Sequence, residues 1–247
     1  MRFVLYSQSV QSRRRSLSGR DRAYEGIRQR IVNLTLPPGI ALSEQELGDA
    51  LDVSRTPVRE AIVLLAREGL LQVVPRIGTF VARVDPEQVA EAQFLREAVE
   101  LASLASLAEP LDEAVLALMR QNLVEQEAAD DDAARFFPLD EAFHQHLMSL
   151  AGHEASWHMV LTAKSHLDRA RLLGLSTFHE TVHERIAEHR AIFEEITDGR
   201  LGEATDALRV HLRHVFEDIE GVRALHPEMF VSDPGAQPMR RAVAVWR

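Results

Sequence analysis

The chain holds eleven histidines, and all of them lie between His144 and His226. Imidazole nitrogens are ligands for divalent transition metals, so the question is which of these side chains can converge. Asp140 and His144 stand four residues apart, which on a helix puts a carboxylate and an imidazole on one face. His189 lies ten residues before Gly199, and His211 nine residues after Gly202. If two antiparallel helices flank that glycine-marked turn, both histidines stand roughly 15 Å from it and can face each other. Asp140, His144, His189 and His211 are therefore a candidate site for a divalent metal. Zinc or nickel is favoured over magnesium because three donors are imidazoles, and fewer than six protein ligands leave coordination positions open.

A second arrangement competes for one of these residues. His179-Glu180-Thr181-Val182-His183 is an HExxH run, and His189 falls where zinc peptidases of that kind place a third ligand. Those enzymes need a glycine to swing the third histidine back, and Ile186 stands at that position. On a continuous helix His189 points about 120° away from His183 and lies roughly 9 Å further along, so the three cannot meet. A metalloenzyme or zinc peptidase is kept as the alternative, and the expectation is that the chain is not an enzyme.

The scaffold for the histidines is legible from Asp85 to Leu225, where every periodic segment is helical. Helices are expected near 86–108, 111–129, 133–150, 154–173, 178–198 and 202–224. The breaks fall at Pro110, Asp130-Asp131-Asp132, Gly152, Gly174 and Gly199 to Gly202. Pro138 offers a further break inside the third helix. Six such helices on short turns predict an all-α antiparallel bundle.

Ahead of the bundle, Leu42 to Leu71 predicts two short helices around a tight turn. Ser43 followed by Glu46 is a capping box, with Leu42 and Leu47 placed as a hydrophobic staple. Pro57 suits the first turn of the second helix, opened by Ser54 or Thr56. Val58, Ala61, Ile62 and Leu65 bury one face of that helix and leave Arg55, Thr56 and Arg59 on its exposed N-terminal end, where a DNA recognition helix needs donors. Tyr24, Ile27, Ile31 and Leu34 predict a covering helix. Residues 71–75 and 79–82 read as two strands joined through Arg76-Ile77-Gly78, with Gly78 at the tip where positive φ is wanted. Three helices and a hairpin make a winged helix, so the fold class is mainly α: a winged helix-turn-helix followed by the bundle.

Charge separates the same two regions. Residues 1–83 carry 13 Arg and 8 acids, whereas residues 84–247 carry 15 basic and 30 acidic residues. A basic first part suits phosphate, and an acidic second part suits metals, metabolites or another protein. The expected organisation is a disordered basic tail at 1–21, a DNA-binding domain at 22–84, a helical metal- and effector-binding domain at 85–225, and a flexible tail at 226–247. There is no cysteine, which excludes disulfides and zinc ribbons. No signal peptide or membrane-spanning run is present, and a cytoplasmic location is expected.

The run from Ala23 to Val84, with VSRTPVREA and PRIGTFV inside it, resembles the DNA-binding domain of GntR-type bacterial transcription regulators. By that resemblance Ser54, Arg55, Thr56 and Arg59 contact operator DNA and the wing residues around Arg76 and Gly78 reach the neighbouring groove. Gln45 departs from the pattern, which commonly has a basic residue there. Leu139-Asp140-Glu141-Ala142-Phe143-His144, Glu188-His189-Arg190-Ala191-Ile192 and His211-Leu212 resemble the ligand motifs of the FCD effector-binding domain of the FadR subfamily. That resemblance makes Asp140, His144, His189 and His211 the metal ligands. It also turns Arg96, within Phe94-Leu95-Arg96-Glu97, toward the pocket and an anionic ligand, whereas its spacing alone also fits a surface pair with Glu100. His153 replaces an asparagine usual for the family. The resemblance implies a homodimeric regulator, expected to be a repressor, on a palindromic double-stranded operator. Its effector would be a small organic acid, with fatty acyl-CoA as the alternative.

Overall fold

The computed structural model describes residues 18–178 and 180–231. Residues 1–17 and 232–247, which make up most of the tails expected at 1–21 and 226–247, and His179 of the HExxH run lie outside the described residues. The described chain forms two compact units, divided between Arg83 and Val84.

The first unit contains α1 (Gly19–Val32), β1 (Ala41–Leu42), α2 (Glu44–Leu51), α3 (Arg55–Arg67), β2 (Leu71–Val74) and β3 (Gly78–Val81). The Ser18 hydroxyl accepts from the Asp21 amide at 3.1 Å and starts α1. Residues 19–21 therefore belong to the helix and not to the tail expected at 1–21, because a serine N-cap satisfies a helix-end donor already at that point. Ile27 and Ile31 of α1 pack on Leu47, Val58, Ile62 and Leu65. Leu34 is not the last apolar residue of α1; it lies beyond the helix at φ 61, and Leu36 fills the core instead. Ser43 caps α2 by accepting from the Glu46 amide at 3.4 Å. Gly48 allows α2 to meet the turn that follows, since a Cβ there would stand 2.8 Å from the Val53 carbonyl oxygen.

The wing is a three-stranded antiparallel sheet of order β1-β3-β2. Phe80 pairs with Ala41 on one side and Gln72 on the other. The two-residue β1 was not expected; it is too short for an alternating pattern to show. Gly78 opens β3 at φ 151, the positive φ expected of it, and Arg76 two residues earlier is left-handed at φ 64.

The second unit contains α4 (Pro86–Ala105), α5 (Glu113–Glu127), α6 (Ala133–Leu150), α7 (Glu154–Ala163), α8 (Ser165–Thr177), α9 (Glu180–Thr197) and α10 (Leu201–Leu225). Asp85, Asp112 and Asp132 cap α4, α5 and α6 with their carboxylates. α6 runs through Pro138 without a break. The single helix expected at 154–173 is two helices, α7 and α8, parted at Lys164. Lys164 is buried there, donating to Glu141 and, at 2.6 Å, to Asp168. Gly174 does not end α8. It lets α8 lie close to α10, because a Cβ on it would meet the Asp218 Cβ at 2.8 Å.

Leu104, Met119, Phe143, Leu147, Ile192 and Leu208, from five helices, form the main core of this unit. After α10 the chain makes a short 3₁₀ turn at Pro227–Met229. The Val84 amide donates to the Met229 carbonyl at 2.9 Å and the Val231 amide to the Val84 carbonyl at 3.0 Å. Phe230 is buried beside this bridge. Residues 227–231 are thus part of the folded second unit and not of the flexible tail expected at 226–247. No helix among the described residues is long and apolar enough to cross a membrane.

Candidate functional site

Asp140 and His144 project from α6, His189 from α9 and His211 from α10, and all four are buried. One donor atom from each lies within 4.8 Å of the others. The His211 Nε2 stands 3.1 Å from the His189 Nε2 and 3.2 Å from the His144 Nε2. The Asp140 Oδ1 lies 3.6 Å from the His189 Nε2 and 3.9 Å from the His144 Nε2. Four positions drawn from three helices thus meet at one point.

The hydrogen bonds behind the cluster decide what it can hold. The His144 Nδ1 lies 2.6 Å from the Glu100 Oε2, and the His211 Nδ1 lies 2.8 Å from the Glu188 Oε2. The His189 Nδ1 lies 2.8 Å from the Gln126 Oε1. Gln126 uses its amide nitrogen to donate to the Asn122 Oδ1 at 2.6 Å, which fixes its oxygen toward His189. Ionised carboxylates and amide oxygens only accept, so each imidazole carries its proton on Nδ1 and turns an Nε2 lone pair inward. Three lone pairs and a carboxylate oxygen at these spacings repel one another, and a cation among them turns the repulsion into attraction. At metal–nitrogen distances of about 2.1 Å, nitrogens 3.1 and 3.2 Å apart subtend roughly 95–100°. The donor set therefore fits a divalent metal.

Electrostatics and packing agree with this. Burial pushes the His189 and His211 imidazoliums well below their ordinary pKa, and the neighbouring histidines add to the shift, so both rings stay neutral donors. Burial alone would raise the Asp140 carboxyl, but the charge of the neighbouring Arg171 guanidinium more than reverses it and holds the group well below the usual carboxylate range. The Phe143 ring stacks on His189 at 4.1 Å between centroids, and Trp157 lies over His144 at 6.4 Å. Apolar walls of this kind keep water from competing for the donors.

Arg96 is not a surface residue: its side chain is 2% exposed and its Nε donates to the Glu100 Oε1 at 2.6 Å. Glu100 thereby joins Arg96 to His144. The Arg96 Nη2 is buried without a hydrogen-bond partner. It borders a narrow cavity shared with Asp140, Arg171, Arg185 and His211. Arg171 donates to the second oxygen of Asp140, and at 2.7 Å to Glu141.

Glu100, Gln126, Glu188 and Arg171 escaped sequence reasoning as parts of the site. Only the i, i+4 spacing of Arg96 and Glu100 hinted at one of them. His183 takes no part: its side chain is 60% exposed and its Nε2 lies 3.7 Å from Asp130 at the surface.

In the first unit, Ser54 is the N-cap of α3, and Arg55, Thr56 and Arg59 lie on its exposed first turns. Arg76 and Gly78 are exposed on the wing. Arg55 and Arg59 both have partners on α2. Arg55 donates to the Gln45 side-chain oxygen, and the Arg59 Nε donates to the Glu44 Oε2 at 2.7 Å.

Comparison with known proteins locates both units. Residues 20–81 match the family of bacterial regulatory proteins, gntR family, and residues 88–214 match the FCD domain. The chain is 55% identical over 225 residues to an uncharacterized HTH-type transcriptional regulator in an unstable DNA locus of Streptomyces ambofaciens, covering 90% of this chain and 94% of that one. It is 32% identical over 215 residues to the HTH-type transcriptional repressor RspR of Escherichia coli K12, covering 84% and 91%. Among solved structures, a GntR transcriptional regulator of Rhodococcus sp. RHA1 shares the fold with a TM-score of 0.69 at 24% identity, over 82% of this chain and 97% of that one. The E. coli protein McbR/YncC does so with a TM-score of 0.70 at 18% identity, over 85% and 99%. These relatives are regulators rather than enzymes. With a winged helix that presents arginines at the start of α3 and an FCD domain behind it, the chain belongs to the GntR family of DNA-binding transcription regulators.

Proposed function

We propose that this regulator is a homodimeric repressor whose hold on a palindromic operator is controlled by a small carboxylate bound at a divalent metal. The observation that carries the reading is the convergence of three inward-facing Nε2 lone pairs and the Asp140 carboxylate, with every Nδ1 held by an acceptor. Asp140, His144, His189 and His211 would hold the metal, zinc or nickel. When bound, the metal supplies positive charge and open positions for carboxylate oxygens. The near-right angles between donors suit a site with such positions.

The unpartnered Arg96 Nη2, with Arg171 and Arg185 on the same cavity, supports an anionic effector. Seven of the ten residues lining that cavity are ionisable, which leaves little apolar wall for the chain of a fatty acyl-CoA. On the DNA side, Ser54, Arg55, Thr56 and Arg59 would enter the major groove, and Arg76 and Gly78 would reach beside it. The repressor role is supported by the name of the E. coli relative RspR.

Coupling would run through α4, which carries Arg96 and Glu100 and begins at Pro86, directly after the wing. α10 carries His211, and its continuation bridges Val84 through Met229 and Val231. An effector that ties these helices together shifts operator affinity only if it binds the two states unequally, and about 1–3 kcal/mol is typical.

The test has two stages. Elemental analysis of the full chain should find about one metal per chain in the wild type and in His183→Ala, and loss of it in His189→Ala and His211→Ala. Calorimetry with hydroxy acids, sugar acids and dicarboxylates should then find a ligand that needs Arg96 and changes operator affinity. Metal retained in both cluster variants, or a ligand that leaves operator binding unchanged, overturns the reading.

A further inference from the structure

The recognition-helix arginines do not stand alone. Glu44 and Gln45, the first two residues of α2, are bonded to Arg59 and Arg55 respectively. Both pairs are exposed, with Arg59 66% and Glu44 36% exposed. An ion pair so open to water contributes little to stability, so holding the fold together does not explain it. Its position does more. A carboxylate on a DNA-facing surface is repelled by phosphate and lowers affinity for every sequence alike. Such a group serves a regulator when it improves the choice between sequences.

We propose that Glu44 and Gln45 are positioning residues that set operator specificity by fixing the two arginines, without touching a base themselves. A guanidinium has five N–H donors in a rigid fork. With Nε held by Glu44, Arg59 is left with the Nη1 and Nη2 pair at its far end. That pair matches the O6 and N7 acceptors of guanine, so Arg59 reads a guanine end-on. Gln45 accepts from one Nη of Arg55 through its oxygen, which holds that arginine less firmly because the acceptor is neutral. A basic side chain at position 45 could not do this, since it has no acceptor and would push Arg55 away. The inference rests on the reading that Arg55 and Arg59 contact base edges.

The experiment uses the full chain. An operator is selected from a randomised DNA library with the wild type, and affinity is then measured at fixed salt for that site and each of its single-base-pair variants. Arg59→Ala should lose discrimination at one G·C pair of each half-site by about five- to a hundredfold, the span of a bidentate base contact. Glu44→Ala should lose most of the same discrimination at the same pair, while binding unrelated DNA as tightly as the wild type or more tightly. Glu44→Gln keeps an acceptor and should recover part of it. Gln45→Ala should relax a different base pair, the one lost in Arg55→Ala. Asp49→Asn removes a negative charge from the exposed side of the same helix, away from both pairs, and should leave the per-base profile unchanged. Wild-type discrimination in Glu44→Ala alongside a base-specific loss in Arg59→Ala overturns the positioning role alone. Absence of any base-specific loss in Arg59→Ala overturns the recognition reading and this inference with it.

Discussion

Gln126 offers a quantitative test of the proposed metal centre, because it touches a proposed ligand and would not touch the metal. It is fully buried, its Oε1 lies 2.8 Å from the His189 Nδ1, and its nitrogen donates to Asn122. Replacing it with Met keeps the volume and removes these bonds together with the longer one to the Leu139 carbonyl at 3.5 Å. The His189 N–H then loses its acceptor in a buried site, at a cost of about 1–3 kcal/mol that appears with or without metal. A second loss appears only with metal. His189 is no longer held in the Nδ1–H tautomer or aimed by a fixed acceptor, and removal of such a partner lowers metal affinity about 10- to 100-fold. That factor is roughly 1.4–2.7 kcal/mol, and it subtracts directly from the stabilisation a bound metal confers. For a unit the size of residues 84–231, this extra loss corresponds to about 3–11 °C in melting temperature.

The assay is thermal unfolding of wild type and Gln126→Met, each with added zinc or nickel and after chelator treatment, together with competition against a chromophoric chelator. Gln126→Glu supplies an acceptor again and should regain metal affinity. The reasoning fails if Gln126→Met melts lower by the same amount in both conditions and holds metal as tightly as the wild type. Gln126 would then support folding alone.

Two further outcomes follow from particular residues. His189 and His211 titrate well below 6.5 in the folded protein because burial disfavours their charged forms, and return to about 6.5 when unfolded. Below that pH the unfolded chain binds more protons, so metal-free stability is complete above pH 6.5. It should fall as pH drops toward the folded values, by up to about 1.4 kcal/mol per pH unit per histidine; a flat melting temperature between pH 7.5 and 5.5 after chelation contradicts this. Gly174→Ala drives a Cβ to 2.8 Å from the Asp218 Cβ and should cost about 1–3 kcal/mol. Gly202→Ala meets nothing within 4 Å and should gain up to about 1 kcal/mol. Denaturant titration compares the two, and equal shifts would contradict the packing described for α8 and α10.

Local rules were enough for what depends on neighbours in the chain. The Ser43 cap of α2, Pro57 in the first turn of α3 and the apolar face of Val58, Ala61, Ile62 and Leu65 all follow from short-range sterics and hydrogen bonding. Helical spacing paired Asp140 with His144. Distance from the glycine-marked turn placed His189 and His211 at one height, because the rise of a helix is fixed. What the sequence left open is whatever depends on groups brought together from afar. Gln126 and Glu188 hold histidines on other helices, so no spacing along the chain marks them. Lys164 parts α7 from α8 because its ammonium is bonded to Glu141, 23 residues away, and no breaker residue announces that. Gly174 looks like a helix end, since glycine lowers helix propensity, yet it is the point where α8 passes close to α10. Arg96 was open to two readings because an i, i+4 pair with Glu100 forms equally well at the surface or in the core. Only the packing of α4 against the histidine-bearing helices buried it, and burial is what brings its charge to the histidine cluster through Glu100.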